Sequence, residues 1–151
     1  MQEKIKKPSG SEFPSKELKK AVRSFLKCFN VRTHFVRKGW SSAIEDKLIE
    51  IDTRETNNLN ELWSIVFHEL SHVLCYRNGK YDKYHKEILP YNELAIYVRK
   101  YGLRAERYVD KVAKTLMNVY FPQYTFIEAY RTEEDIKWYY EWVNRTYPLD
   151  F

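Results

Sequence analysis

The stretch IVFHELSHVLCY, Ile65 to Tyr76, sets His68, Glu69 and His72 in the spacing H-E-x-x-H within an otherwise apolar run. Residues four apart lie on one face of an α-helix about one turn apart, so both imidazoles can reach a single tetrahedral ion such as Zn²⁺. Glu69 points at a different angle. It is poorly placed as a ligand but well placed to take a proton from water that the metal activates. No other charged residue interrupts Leu62 to Tyr76. Burying two imidazoles and a carboxylate there without partners carries a heavy desolvation cost. Metal binding supplies a reason for that cost. The plain alternative is a merely structural polar cluster, and a pattern this loose arises by chance in on the order of one chain in a hundred.

A catalytic zinc usually has three protein ligands, and His34, His85, Glu93 and Glu106 are the candidates for the third. His85 lies in KYDKYHKEILPYN, a polar, aromatic, loop-like segment where a lone His is more often solvent-exposed than bound. Glu93 opens a helix, where the dipole alone explains a carboxylate. Glu106 sits in GLRAERYVDKVAKTL, with Ala105, Val109, Val112, Ala113 and Leu116 as a buried stripe and Asp110 one turn on. A ligand carboxylate followed by a second carboxylate, able to accept the N–H of a ligand His, is what a supported metal site requires. Two acids at that spacing otherwise repel mildly. The plain reading is surface charge offset by Arg104, Arg107, Lys111 and Lys114. Glu106 is the expected ligand.

Outward from the motif, Asn57 or Asn58 caps a helix Leu59–Tyr76, and Asn78-Gly79 ends it. Ahead of it, Val31–Lys38 and Lys47–Thr53 alternate as strands, expected to pair as an antiparallel ribbon joined through Gly39–Asp46. Ser15 caps a helix to about Phe29. Beyond the motif, helices are expected at about Asn92–Tyr101 and Leu103–Tyr120, separated by Gly102. Thr125–Tyr130 reads as a short strand or an irregular stretch, and a last amphipathic helix starts near Thr132. The prediction is an α+β domain, mostly helical, with a small antiparallel sheet preceding the H-E-x-x-H helix. Residues 1–14 read as a flexible basic tail and 15–151 as one domain.

The 151 residues, 44% hydrophobic and 31% charged, have the balance of a globular protein. The four glycines are isolated, which excludes phosphate-cradling loops and with them NTPase and dehydrogenase readings. Two cysteines form no disulfide framework, no run is long enough to span a membrane, and the start MQEKIKKPSG lacks the apolar core of a signal peptide. A cytoplasmic location is expected. Residues 1–27 hold eight Lys or Arg against three Glu, a basic arm between Lys4 and Lys27 that is either a solvated face or a contact for nucleic acid or an acidic partner.

The chain resembles the gluzincin metallopeptidases at His68-Glu69-Leu70-Ser71-His72 and at Glu106-Arg107-Tyr108-Val109-Asp110, the latter similar to that family's E-x-x-x-D. The order of strand, H-E-x-x-H helix and Glu helix, over roughly residues 45–115, is similar to minimal forms of that fold. ImmA/IrrE-type and SprT-like proteins, common on mobile elements and phages, are the nearest comparison; a phage source would imply the host cytoplasm. The resemblance implies a zincin-like fold, Zn²⁺ on His68, His72 and Glu106, and peptide-bond hydrolysis of a protein or peptide substrate with Glu69 as general base. It further implies that Asp110 orients one ligand His, and that strand Lys47–Thr53 is the sheet edge that pairs with substrate. Tyr108, His85, Tyr130 and Arg131 are the available oxyanion or substrate contacts. Two other functions compete: a non-catalytic zinc-bearing scaffold that binds a partner, and a nucleic-acid-binding module led by the basic arm. Cys75, three residues after His72, reads as a core residue.

Overall fold

The computed structural model describes residues 13–44, 46–78 and 91–149. Helix α1 (Lys16–Lys27) begins at Ser15, whose hydroxyl accepts the Leu18 N–H. It buries Val22 and Leu26 and ends in a turn closed by Asn30 at φ 60°. Strands β1 (Arg32–Val36), β2 (Ser42–Ile44) and β3 (Leu48–Asp52) follow, then a single 3₁₀ turn at Thr53–Glu55. Helix α2 (Leu59–Arg77) carries the H-E-x-x-H motif, α3 (Tyr91–Tyr120) packs along it, and α4 (Glu133–Thr146) packs on α3. The fold is mixed α+β, with a small three-stranded sheet ahead of the motif helix. No described helix is long and apolar enough to cross a membrane.

The strand pairing corrects the expected ribbon. The sheet order is β1-β3-β2; β1 runs parallel to β3, with Thr33 opposite Ile49 and Phe35 opposite Ile51. Only β2 pairs antiparallel with β3. Between the two expected strands the chain turns at Gly39 (φ 99°), crosses to the far side of the sheet and returns as β2. β3 is therefore the central strand, not the edge predicted to receive substrate; the edges are β1 and β2. Ile49 and Ile51 are fully buried on the face toward α2.

Gly102 does not divide α3, which is one helix of 30 residues. A mid-helix glycine costs about 1 kcal/mol relative to alanine, and buried Val98 and Val109 on either side of Gly102 anchor the helix through it. Thr125–Tyr130 takes the irregular alternative. The start of α4 follows the expectation, with a capping box between Thr132 and Asp135. The core gathers Val22 and Leu26 of α1, the β3 isoleucines, and Leu62, Val66, Phe67, Leu70 and Val73 of α2. Phe25 is its aromatic hub, with ring centroids 5.4 Å from Phe67, 5.7 Å from Trp63 and 5.5 Å from Phe121. At the end of α2, the Arg77 guanidinium donates to the carbonyls of Phe29, Asn30 and Asp46, tying the turns after α1 and β2 to the helix.

Candidate metal centre

Asn58, rather than Asn57, caps α2: its side chain accepts the Glu61 N–H at 2.9 Å. Farther along the helix, His68, Glu69 and His72 face α3 and the segment that follows it. All but one of the residues from Leu62 to Ser71 are buried; the exception, Ile65, is half-buried. His68 and Glu69 are therefore held in protein rather than in water.

The donor atoms converge. His68 Nε2 lies 2.9 Å from Glu106 Oε2, His72 Nε2 lies 3.1 Å from the same oxygen, and the two Nε2 atoms are 3.2 Å apart. Neighbouring ligands around a tetrahedral ion with bonds of about 2.0–2.1 Å stand about 3.3 Å apart. The near-equilateral triangle of two imidazole nitrogens and one carboxylate oxygen fits such an ion after a small expansion. A second triad can be drawn from His68, Glu69 and His72, whose ligand atoms all lie within 4.8 Å of one another. The triangle closed by Glu106 is the tighter. It leaves the Glu69 carboxyl beside the centre rather than in it.

Asp110, one turn after Glu106 on α3, reaches His68. Its Oδ1 is 2.7 Å from His68 Nδ1, and its Oδ2 accepts the Ala129 N–H at 3.0 Å. With Asp110 on Nδ1, the other ring nitrogen of His68, Nε2, is turned toward Glu106 and His72. Electrostatics follow from this packing. Burial disfavours a charged His68, but its hydrogen bonds to Asp110 and Glu106 outweigh burial and hold its pKa well above the ordinary value. Burial likewise pushes Glu106 up, and the two imidazoles overcome it, leaving the carboxyl well below the usual range. For Glu69, burial wins over the attraction of His68 and His72, and its pKa is raised.

A cleft of about 230 Å³ opens beside His68 and Glu69, walled by Trp40 and Ser41 ahead of β2 and by Ile127–Thr132 after α3. That second wall is not in a sheet. Alternate N–H groups are held by side chains instead: Thr125 by Asn60 (3.1 Å), Ile127 by Ser64 (2.9 Å) and Ala129 by Asp110. Tyr130 and Arg131 line the cleft. Tyr130 stands edge-on to Tyr139 at 5.2 Å; burial, with Glu106 and Glu69 nearby, raises its pKa well above the ordinary value, so the phenol keeps its proton.

Tyr108 and His34 fall away from the centre. Tyr108 is 47% exposed and does not line the cleft. His34 is exposed on β1. His85 and the side chain of Glu93 lie outside the described residues, as do Gly79 and the basic residues before Phe13. Cys75 is buried beside Val109 in the core. Trp40 and Trp138, which line the cleft, carried no signal along the chain: one follows a turn, and the other sits on an amphipathic helix face that reads as core. Comparisons with protein-family models, curated proteins and solved structures give no match to this chain.

Proposed function

We propose that this chain is a zinc-dependent metallopeptidase of gluzincin type, with His68, His72 and Glu106 as ligands and Glu69 as general base. The observation that carries the reading is the Nε2–Nε2–Oε2 triangle with a buried carboxyl beside it at the mouth of a cleft. Two imidazoles and one carboxylate, with room for a fourth ligand, match the donor set of catalytic zinc better than the all-oxygen sets of Mg²⁺ or Ca²⁺. When bound, the ion lowers the pKa of water towards about 7 and polarises a carbonyl.

The chain's own residues supply the rest. Glu69 accepts the proton of the attacking water and passes it to the leaving amine; burial keeps its carboxyl basic enough for both transfers. Asp110 fixes the His68 tautomer. The Tyr130 phenol, protonated and lining the cleft, is the favoured donor to the oxyanion over Arg131, which is exposed. Glu69→Gln tests the reading. It should lower peptide hydrolysis by about 10²–10⁴-fold while metal content and thermal stability are kept, because it replaces a buried carboxyl that no salt bridge holds. Hydrolysis by the variant as fast as wild type would remove Glu69 from the chemistry; no hydrolysis by wild type that holds its metal would leave a metal-bearing scaffold; loss of fold would make Glu69 structural.

A further inference from the structure

We infer a second working surface, independent of the metal centre: the outer face of α1 together with β1, which binds the phosphate backbone of nucleic acid. Residues 13–38 carry eight Lys or Arg and one acid, Glu17, whereas residues 39–151 carry 15 Lys or Arg against 18 Asp or Glu. A chain of net charge +5 thus concentrates +7 in residues 13–38, the segment that holds α1 and β1.

These charges are ordered by the fold. At about 100° per residue, Lys16, Lys20, Arg23 and Lys27 fall within a sector roughly 60° wide on α1, spread along about 17 Å of helix. All four are exposed, and the opposite side of α1 buries Val22 and Leu26. Lys19 and Arg23 lie over the Phe35 ring of β1, at 5.6 and 5.1 Å from its centroid, which sets the stripe beside β1; Arg32, the first residue of that strand, and Arg37, just after it, are exposed. Among the described residues, none of Lys16, Lys20, Arg23, Lys27, Arg32 and Arg37 forms an ion pair; Lys38 does, with Glu50. Like charges at helical spacings repel, and folding has aligned these without supplying counter-charges.

The chemistry of the face selects the partner. A membrane-surface helix needs an apolar side to bury in lipid, and the apolar side of α1 is already in the core. A protein partner would be anchored by exposed aromatic or aliphatic residues, and none of the large exposed apolar side chains lies on α1 or β1. What remains is a row of flexible cations, the requirement for phosphate contact without base reading.

The test is fluorescence anisotropy of a labelled 20-base-pair DNA duplex titrated with the full chain. Affinity should fall about 10²-fold between 50 and 200 mM salt, as expected for about four phosphate contacts. Lys16→Glu, Lys20→Glu and Lys27→Glu together should weaken binding tenfold or more at the lower salt. Lys111→Glu, Lys114→Glu and Lys137→Glu, an exposed set of equal net charge elsewhere, should do much less. Should the α1 variant lose its fold, Arg32→Glu with Arg37→Glu carries the same comparison from β1. No binding at 50 mM salt, equal loss from both triple variants, or capture by phosphatidylserine vesicles in place of the duplex each overturns the inference.

Discussion

Helix α2 has two inward sides, each built on three- and four-residue helical spacings, with opposite chemistry. Trp63 and Phe67 face the rings of Phe25 and Phe121, with Leu70 in the same core, while Ser64, His68 and His72 face α3 and the segment after it. One residue of rotation separates Trp63 from Ser64 and Phe67 from His68. On the apolar side, each group removed from water contributes by area, and neighbours are interchangeable if volume is kept. On the polar side burial costs free energy, and each group has a named partner that offsets it: Ser64 with Ile127, His68 with Asp110 and Glu106, His72 with Glu106. The first side makes the helix part of the fold. The second brings two imidazoles to one oxygen of Glu106, an arrangement that could hold a metal ion.

The largest expected effect lies on the apolar side. Phe67 is fully buried among Phe25, Trp63, Tyr120 and Phe121. Phe67→Ala should cost about 3–5 kcal/mol in urea denaturation, with metal affinity of the remaining folded fraction nearly unchanged. A loss below about 1 kcal/mol would mean that the ring cluster collapses into the space, and that the two sides are less distinct than their chemistry suggests. The polar side should answer in reverse. Asp110→Asn keeps an acceptor for the Ala129 N–H but turns an amide nitrogen toward His68 Nδ1. It should weaken metal binding about 10–100-fold, read by competition with a chelator, at small cost in stability. Unchanged affinity would remove Asp110 from the metal centre, and a large stability loss would assign it to the apolar side's role.

The difference between the sides also explains what was legible in the chain. H-E-x-x-H and Glu106-x-x-x-Asp110 are each written on one helix, where spacing alone determines a face, and the structure brings both to one point. Asn58, Ser15 and Thr132 as caps were legible for the same local reason. Pairing β1 with β3 in parallel was not, because strand alternation is the same for either direction, and the three residues of β2 are too few to show a period. The cleft wall at 125–132 was hidden because Asn60, Ser64 and Asp110 hold its N–H groups, and those partners lie 19 to 65 residues away. Gly102 misled because a local propensity of about 1 kcal/mol yields to packing on both sides of it.

The smallest effect probes whether the two sides are set by one register. Asn58 accepts the Glu61 N–H, while Glu61 Oε1 accepts the Asn57 N–H at 3.1 Å and an Asn58 side-chain N–H at 3.2 Å. This reciprocal arrangement fixes where α2 starts, and therefore which residues face the rings and which face α3. Asn58→Ala should cost about 1 kcal/mol, seen as faster amide exchange in the first turn of α2, with metal affinity unaltered because the register is over-determined by the packing of Leu62, Val66 and Phe67. If metal affinity instead fell along with stability, the cap rather than the core would be holding the imidazoles in register. The ligand geometry would then depend on a helix end some ten residues away.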